Sequence, residues 1–375
     1  MIYVLLTYLF SPLLYLLIIL RKKDAIERIL VIQTAKIGDL VCSTPVFREV
    51  KKKYPNARLT ALVSSVTKEL LEYNPYVDEI LTFNTADYKG LAGKVKLSQL
   101  VCRGRYDVLI CLNPNIPFAL AGLWGLVPQR ISIMPNFSGF TFRFASALFT
   151  CLECHASGIL ISKTSVRALH CLGIESGDIT KEVYKSPDAA AAVDRLVGQL
   201  EVPVIGFAVS SGNRLKELGA DKIVEIVNAL AKTLDVSVVL IGSHQDKEVA
   251  RRVMQGVIKK ERAIDTTGAL NLRQLPALLE KLALYIGVDT GITYMADAVS
   301  VPILHLAGPI DTSEQRPVGK RVKVLQYHLP CVPCTYVFKV AHTCRKGDRA
   351  CIARITTADV VNAAKELIDQ GGAWE

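Results

Sequence analysis

The chain has 375 residues, enough for two domains of ordinary size, and half of them are hydrophobic, so a substantial core can form. Its net charge of +10 favours anionic partners such as phosphorylated substrates and acidic lipid headgroups. The sequence has no zinc-finger, RNA-recognition or helix-turn-helix signature, so nucleic acid is not an expected partner.

The N-terminal segment predicts a membrane anchor. Residues 1–20 carry no charge, and Arg21, Lys22 and Lys23 follow at once. About 20 apolar residues match the hydrocarbon thickness of a bilayer. A secretory signal places its charges first and a small-residue cleavage site last, so we expect this segment to be retained. The basic cluster predicts that the rest of the chain lies on the cytoplasmic side of the inner membrane.

Three arrangements of this segment remain open. It can span the bilayer as one helix, or it can bend at Ser11-Pro12 into a hairpin within one leaflet. It can also be a buried core helix or strand extension of the domain that follows. Length and composition fit all three arrangements.

After the anchor, apolar runs alternate with helical patterns, which predicts an α/β fold with parallel sheets. The predicted strands of the first half are Ile29–Gln33, Arg58–Val63, Glu79–Phe83, Val108–Leu112 and Gln129–Ile133. Those of the second half are Val202–Val209, Val236–Ile241, Ala263–Asp265, Leu284–Val288, Val301–Ala307 and Val322–Leu325. The predicted helices include Thr44–Lys53, Thr67–Tyr73, Ala220–Lys232 and Leu272–Leu282.

This alternation predicts two Rossmann-like domains, residues 24–180 and residues 181–355, after an anchor of residues 1–23. The polar, Ala-rich stretch Glu175–Glu201 is the candidate linker. The amphipathic helix Thr357–Leu367, within the tail of residues 356–375, is expected to pack back on the first domain. Domains of this kind bind ligands in a crevice at the carboxyl ends of their strands.

The first segment that indicates chemistry is a strand followed by a glycine-containing turn, with Lys36, Gly38 and Asp39. Gly38 permits a close backbone approach, and Asp39 then stands near a helix N-terminus. A carboxylate there can take a proton from a sugar hydroxyl, or it can simply cap the helix. Lys36 can steer phosphates or remain solvated.

The second segment joins an apolar strand to a Ser/Gly loop that contains Ser211 and Lys216. Small hydroxyl residues and exposed N–H groups suit a diphosphate, which Lys216 can neutralise. The loop lacks Walker-A spacing, so an ordinary polar loop is the alternative interpretation.

The third segment is the turn Asp289-Thr290-Gly291, which follows an apolar strand and opens a helix containing Tyr294. We expect Asp289 or Thr290 to cap this helix through its free N–H groups. The remaining N–H groups and the positive end of the helix dipole favour a phosphate. Together the three segments predict that the chain holds a sugar linked to a nucleoside diphosphate.

Two further stretches are candidates for nucleotide contacts. Gly242 and Asp246 follow a predicted strand, where a carboxylate can bind a ribose. Gly268 and Leu270 can lie along the base. Either stretch can equally be a simple loop.

Taken together, these segments resemble the ADP-heptose–lipopolysaccharide heptosyltransferases of glycosyltransferase family 9. The resemblance covers roughly residues 28–367. It rests on Gly38-Asp39 with Thr44-Pro45, on Asp289-Thr290-Gly291 with its helix, and on Gly308-Pro309-Ile310-Asp311. It implies a GT-B fold, in which two Rossmann-like domains face each other across a cleft. The acceptor is then bound mainly by the first domain and the nucleotide sugar mainly by the second.

By the same resemblance, Asp39 is the catalytic base of an inverting transfer. Lys216 holds the diphosphate, and the Asp289-Thr290-Gly291 loop binds the phosphates. Asp246 falls where the family usually has a Glu that contacts the nucleotide. The sequence contains no Asp-X-Asp motif that would call for a metal, so no cofactor is expected, and an ADP-sugar is a substrate.

The chain departs from the family pattern at two positions. Tyr294 stands where the family commonly has His, and Ala307 where it has Phe. The first difference removes a possible cation near the diphosphate and leaves the donor open. We expect heptose transfer to a lipid-linked saccharide, and two alternative functions remain open. One is the same fold with another nucleotide hexose, and the other is a catalytically silent nucleotide-binding scaffold. A dehydrogenase is disfavoured because the first turn has no Gly-x-Gly-x-x-Gly.

Ten cysteines in a chain predicted to be cytoplasmic are expected to be reduced thiols. Four of them could bind a structural zinc ion, remain reduced structural thiols or form a redox-labile bridge, namely Cys331, Cys334, Cys344 and Cys351. The stretch from Cys151 to His155 has the spacing of a c-type haem attachment site, which a cytoplasmic location disfavours. All six histidines are expected to be surface or packing residues.

Overall fold

This computed structural model describes residues 2–21, 25–200 and 203–369. The chain divides into two compact units, Met1–Thr180 and Lys181–Glu375. Each unit contains one six-stranded sheet in which every neighbouring pair of strands is parallel. The predicted α/β fold with parallel sheets is therefore confirmed.

The first sheet has the strand order β3-β2-β1-β4-β5-β6. Its strands are β1 Arg28–Gln33, β2 Arg58–Ser64, β3 Glu79–Phe83, β4 Val108–Cys111, β5 Gln129–Met134 and β6 Cys151–Cys154. Residues 29–33 of β1 are all buried, as expected of a central strand covered on both faces. The sequence does not predict β6, because this short edge strand buries only Glu153 and lacks an apolar run.

The helices of the first unit are α1 Ile2–Arg21, α2 Ile37–Cys42, α3 Thr44–Lys53, α4 Gly90–Gly104, α5 Ile116–Trp124, α6 Phe140–Ser146 and α7 Ile161–Arg167. The helix predicted at Thr67–Tyr73 is wrong, since only the 3₁₀ turn Lys68–Leu71 forms there. A single turn of this kind buries Leu70 and Leu71 without a longer apolar stripe.

Helix α1 runs unbroken through Pro12, so the hairpin considered from the sequence does not form. Proline lacks the N–H that would bond to the carbonyl of Tyr8, four residues earlier. The hydroxyl of Ser11 donates to this carbonyl instead, at 2.8 Å. Val4 and Ile18 are buried in the core of the first unit, so one stripe of the predicted anchor packs against the domain.

The second sheet has the strand order β12-β11-β10-β7-β8-β9. Its strands are β7 Val204–Ala208, β8 Ser237–Ile241, β9 Ala263–Asp265, β10 Leu284–Val288, β11 Ile303–Ala307 and β12 Val322–Gln326. All six were predicted from apolar runs. The runs in β8, β10 and β11 are buried along their whole length, which explains the strength of their sequence signal.

The helices of the second unit are α8 Ala189–Val197, α9 Ala220–Thr233, α10 Lys247–Gly256, α11 Leu275–Glu280, α12 Gly291–Ala298, α13 Ala350–Ala353 and α14 Thr357–Asp369. Helix α8 lies within the stretch that we predicted to be a linker, and it packs against α11. Four consecutive alanines favour a helix, and Val193 and Val197 give it a buried face. The linker prediction was wrong for these residues.

The prediction that the C-terminal helix packs on the first domain was also wrong. Helix α14 packs against α9 and against β10, β11 and β12 of the second sheet. Val360, Ala364 and Leu367 belong to the core of the second unit. An amphipathic helix buries its apolar stripe on the nearest uncovered sheet face, and the sequence pattern cannot specify which sheet that is.

Candidate active site

In each sheet the strand order reverses beside the first strand of the unit. β1 lies between β2 and β4, and β7 lies between β8 and β10. Open parallel sheets bind ligands at such a point, outside the carboxyl ends of the strands. Asp39 follows β1, while Ser211 and Asp289 follow β7 and β10. The fold thus places the predicted catalytic residue and the predicted phosphate-binding residues at the two reversal points, one in each unit.

Asp39 lies in the first turn of α2 and is partly exposed. Its carboxylate accepts a hydrogen bond from the backbone N–H of Lys36, at 3.1 Å. The capping role considered from the sequence is therefore present, and Lys36 and Gly38 share the same turn. A carboxylate held this way at a helix N-terminus keeps a fixed position while remaining accessible to a substrate hydroxyl.

Hydrogen bonds from polar side chains fix the position of the Asp39 turn. The hydroxyl of Ser43 donates to the Asp39 carbonyl at 2.8 Å and accepts from the Gln33 side chain at 2.9 Å. On the neighbouring strand end, the Asn113 amide donates to the Thr34 hydroxyl at 3.0 Å. These supporting residues were not predicted from the sequence, because single Ser, Gln and Asn residues have no distinctive spacing.

A buried ionic network surrounds Asp289 in the second unit. The Asp289 carboxylate is hydrogen-bonded to the Lys216 ammonium and to the Tyr294 hydroxyl, and its side chain is only 8% exposed. Burial is the largest single influence and opposes ionisation of Asp289, but the Lys216 ammonium, His305 and the Tyr294 hydroxyl together hold the pKa of this carboxyl below its usual range. The structure thus brings together Lys216, Asp289 and Tyr294, which the sequence analysis grouped as phosphate-binding residues.

The start of α12 differs from the prediction in one respect. Thr290 occupies the cap position, but neither its side chain nor that of Asp289 is found capping the helix among the described residues. Asp289 is instead turned towards Lys216, while the Ser211 hydroxyl donates to the Asp289 carbonyl at 3.0 Å. Within the part of the chain that the structure describes, the first N–H groups of the helix, beginning at Gly291, therefore have no side-chain cap and can donate to an anion.

His305 on β11 is a buried packing residue, as expected from the sequence, but its proximity to the Asp289 network was not predicted. It is fully buried, and within the described residues neither ring nitrogen has a hydrogen-bond partner. Burial lowers the pKa of His305 to about 4, although Asp289 opposes the shift. The imidazole is therefore neutral at physiological pH. Its position in an apolar strand gives no sequence signal of its proximity to Asp289.

A second buried ion pair fixes the far end of α12. The ammonium of Lys181 lies 2.6 Å from the Asp297 carboxylate, and both side chains are almost completely buried. Asp297 also accepts the backbone N–H groups of Val318, at 3.1 Å, and Gly319, at 2.8 Å. Helix α12 is thus fixed within its unit at both ends.

The predicted nucleotide-contact residues cluster beside this network. The Asp246 carboxylate accepts from the hydroxyls of Ser210, at 2.6 Å, and Ser243, at 2.7 Å. The N–H of Gly268 donates to the carbonyl of Gly242 at 3.0 Å. Gly268 has a φ of +67°, and a Cβ there would lie 2.8 Å from the His244 Cα atom, so only glycine fits. Leu270 follows in the same loop and is partly exposed.

The four C-terminal cysteines predicted as zinc ligands line one cavity of about 510 Å³. Their thiols are near enough that Cys334, Cys331 and Cys344 add to the effect of burial in raising the pKa of Cys351. Soft thiolates suit zinc. However, across residues 2–21, 25–200 and 203–369, only Cys151, His170 and Cys171 bring three ligand atoms within 4.8 Å of one another. Zinc at the C-terminal cysteines stays a prediction.

Cys151 and Cys171 are joined by a disulfide, contrary to the expectation that all cysteines are reduced. Edge strand β6 and the 3₁₀ turn Ala168–Leu172 pack against each other, which brings the two Cα atoms to 6.5 Å. His155 is buried, and its Nδ1 lies 2.8 Å from the Thr164 hydroxyl. The haem-like spacing therefore corresponds to a disulfide cysteine, an exposed Cys154 and a packed histidine.

The chain is similar to known glycosyltransferases over most of its length. Residues 94–342 match glycosyltransferase family 9 (heptosyltransferase). The chain is 24% identical to lipopolysaccharide heptosyltransferase 3 of Escherichia coli over 75% of this chain and 83% of that protein. It is 22% identical to lipopolysaccharide heptosyltransferase 2 of Salmonella typhimurium over 92% of this chain and 99% of that protein.

Solved structures show the same fold. The E. coli ADP-heptose lipopolysaccharide heptosyltransferase II superposes with a TM-score of 0.73 at 19% identity, covering 92% of this chain and all of that one. A family 9 glycosyltransferase from Veillonella parvula gives a TM-score of 0.76 at 20% identity, covering 93% and 99%. The family match covers about two thirds of the chain and includes both strands that lead to the Lys216–Asp289 network. The chain therefore belongs to glycosyltransferase family 9, the heptosyltransferases, and is an enzyme of that family.

Proposed function

We propose that this enzyme transfers a heptose from an ADP-sugar to a hydroxyl of a lipopolysaccharide core or another lipid-linked saccharide, with inversion at the anomeric carbon. The family membership supports sugar transfer, and the names of its relatives support heptose and lipopolysaccharide. The observation that carries the proposal is the Lys216–Asp289–Tyr294 network beside the uncapped start of α12. A cation and free helix N–H groups at a strand-order reversal suit a diphosphate.

In this mechanism Asp39 takes the proton from the acceptor hydroxyl as it attacks the anomeric carbon. The leaving nucleoside diphosphate gains negative charge in the transition state. Lys216 and the N–H groups at Thr290 and Gly291 stabilise this charge as it develops, because they are already oriented before the reaction begins. Asp289 acts by positioning Lys216, since its carboxylate is buried against the ammonium. Each of these steps uses only side chains and backbone groups of the protein.

A second donor class has one observation in its favour. Tyr294 replaces the His of the family pattern, and its hydroxyl binds Asp289, so it brings no positive charge to the diphosphate. A site with one cation fewer could accept another nucleotide hexose. Asp246 also differs from the Glu of the family pattern. Its shorter carboxylate already accepts hydrogen bonds from the Ser210 and Ser243 hydroxyls, so it presents different hydrogen-bonding groups to the nucleotide.

Titration with ADP-heptose, UDP-hexoses and GDP-hexoses separates the two donor classes. We expect ADP-heptose to bind at least tenfold more tightly than the others, and equal or tighter binding of a UDP- or GDP-sugar would establish the second class.

Lys216→Met should weaken donor binding about 10²-fold, as expected for a lost charge-assisted contact. Lys222→Met is the matched control, because Lys222 pairs with Glu225 on α9 and is expected to leave binding unchanged. Unchanged binding by Lys216→Met would reject the diphosphate site.

We also propose that the enzyme acts at the cytoplasmic face of the inner membrane, where α1 holds it beside a lipid-linked acceptor. Of the described helices, α1 alone is long and apolar enough to cross a membrane. The net charge of +10 favours a phosphorylated glycolipid as acceptor. A shared membrane raises the effective concentration of such an acceptor at the enzyme.

A further inference from the structure

Helix α1 has two distinct faces. The residues that pack against the first unit recur every three or four positions, which is the spacing of one helical stripe, and the buried ones are Val4, Thr7 and Ile18. The opposite face exposes large apolar side chains with 40–75% of their surface accessible, namely Leu5, Leu6, Leu9, Phe10, Leu13, Leu16, Leu17, Ile19 and Leu20. Soluble surfaces rarely carry so continuous an apolar face without an apolar environment to cover it.

Specific contacts hold α1 along its length against the first unit. The Trp124 indole N–H donates to the Thr7 hydroxyl at 2.9 Å, and the Tyr8 hydroxyl donates to the Phe144 carbonyl at 2.7 Å. At the other end, the Arg21 guanidinium donates to the carbonyl of Cys102 at 3.0 Å. These partners lie on α5, α6 and α4, so α1 crosses three helices of the domain.

These contacts are incompatible with a spanning helix. A helix that crosses the bilayer would have to leave the domain, which would unpair these groups and expose Val4 and Ile18, or it would draw α4, α5 and α6 into the hydrocarbon. A helix lying in the plane of the membrane keeps every contact and buries its exposed face in one leaflet.

The charges around α1 favour an anionic surface. Helices α1, α4, α5 and α6 contain no Asp or Glu. They carry basic residues instead, including Lys94, which lies 5.0 Å from the centre of the Tyr3 ring, and the exposed Lys96 and Arg103 on α4. The helices beside α1 also expose apolar side chains at Leu91, Val95 and Phe140. In a symmetric dimer through this face the basic residues would meet their own copies, which disfavours a second chain as the occupant.

We propose that α1, together with the exposed residues of α4 and α6, forms a docking surface for the headgroups and upper acyl chains of an anionic phospholipid leaflet, with α1 parallel to the membrane plane. The surface deepens the membrane location proposed above and does not depend on the identity of the sugar donor. With this surface the enzyme inserts into one leaflet only. The surface also explains why α1 is long and apolar enough to cross a bilayer yet lies in its plane.

Tryptophan depth measurement tests the orientation of α1. Leu5→Trp and Leu20→Trp are prepared in the full-length protein, bound to vesicles, and quenched by lipids brominated at different depths, with the wild-type signal subtracted. A spanning helix would place the two side chains about 22 Å apart in depth, at 1.5 Å per residue. We expect both at the same shallow depth. A separation near 20 Å would overturn the proposal.

Vesicle flotation tests the surface itself. The protein should bind vesicles of phosphatidylcholine with 30% phosphatidylglycerol and bind pure phosphatidylcholine more weakly. The triple variant Leu9→Glu, Leu13→Glu, Leu16→Glu should weaken binding at least tenfold. Lys96→Gln with Arg103→Gln should weaken binding to anionic vesicles about 25-fold, at about fivefold per charge, and leave binding to neutral vesicles unchanged.

These results are distinguishable from failure of the proposed function. The triple variant changes no residue placed in the donor or catalytic site, so its affinity for ADP-heptose should equal that of the wild type. Loss of vesicle binding with intact donor binding supports the surface. Full vesicle binding by the triple variant overturns it. A wild-type protein that does not bind vesicles but forms a stable dimer, which dissociates in the triple variant, overturns it as well.

Discussion

The turns that follow β1 and β10 share one local design and have opposite surroundings. Each turn leads from a buried parallel strand at a strand-order reversal into a helix, and each carries an aspartate. Asp39 is partly exposed and accepts the Lys36 N–H in the first turn of its helix. Asp289 is buried, with its carboxylate bound by Lys216 and Tyr294.

This difference supports the different tasks that we propose for the two carboxylates. A base must accept a proton during the reaction, which an accessible carboxylate can do. Asp289 would have to give up its pairing with Lys216 inside the protein to do the same, and such a loss is costly. We therefore propose that Asp289 positions the cation and that Asp39 is the base. In this proposal the same strand–turn–helix pattern places an accessible carboxylate in one unit and a buried, paired one in the other.

The largest expected effect on stability comes from breaking the Asp289 pair. Asp289→Leu should lower the free energy of unfolding by about 3–5 kcal/mol, because it leaves the Lys216 ammonium partly buried without its partner. Urea unfolding at pH 7 measures the loss. Lys216→Met should have a comparable effect, and the double variant should be far less destabilised than the sum of the two. Additive losses would contradict the pairing.

The next effect is a pH dependence that arises from His305. Its pKa is about 4 in the folded protein and near 6.5 when unfolded, so the unfolded chain binds more protons between these values. The folded state is favoured fully above pH 6.5 and loses stability as the pH falls towards 4. The loss is on the order of 3 kcal/mol. His305→Leu should remove this part of the slope in unfolding free energy between pH 7 and 4.5. An identical slope in both proteins would reject the assignment.

A smaller loss is expected from Tyr294→Phe, which removes the hydroxyl that binds the Asp289 carboxylate. Hydrogen bonds to charged groups contribute more than neutral ones, so we expect a loss of about 2 kcal/mol. Tyr285→Phe is the matched control, because the Tyr285 hydroxyl lies 3.1 Å from the neutral Thr293 hydroxyl in the same buried region. Its loss should be about 1 kcal/mol. Calorimetric unfolding of the two variants gives the order, and the reverse order would count against an ionised Asp289.

The smallest effect on stability should come from Asp39→Asn. Asparagine can accept the same Lys36 N–H through its amide oxygen, and only the favourable charge at the helix N-terminus is lost. The change in unfolding free energy should stay below about 1 kcal/mol. A loss as large as that of Asp289→Leu would show that the two aspartates do not differ in their surroundings.

Sequence patterns predicted the sheets well because buried parallel strands are continuous apolar runs. They failed where the signal was short or where the partner was distant. Edge strand β6 has no apolar run, α8 was hidden in an Ala-rich stretch that resembles a linker, and the amphipathic pattern of α14 cannot indicate which sheet it covers. These errors share a cause, since each element is defined by a tertiary contact.

The same distinction applies to the site. The Asp39 and Asp289 turns could be found because a strand, a small residue and a helix start follow one another in sequence. The pairing of Asp289 could not be predicted, because it depends on Lys216, which lies on another turn, and on the burial of both side chains. His305 sits in an apolar strand and becomes notable only when β11 is placed beside β10. Likewise, the apolar length of α1 suggested a membrane, but only its contacts with Trp124 and Phe144 distinguish the packed face from the exposed one.

The most direct test of the divided roles is turnover and donor affinity measured on the same preparation of Asp39→Asn. Transfer of heptose from ADP-heptose to a lipopolysaccharide acceptor gives kcat, and calorimetric titration with ADP-heptose gives Kd. We expect kcat to fall by about 10²–10⁴-fold, the usual contribution of a general base, while Kd stays within twofold of the wild type. A variant that keeps its turnover, or that loses donor binding together with it, would contradict the assignment of Asp39 as the base.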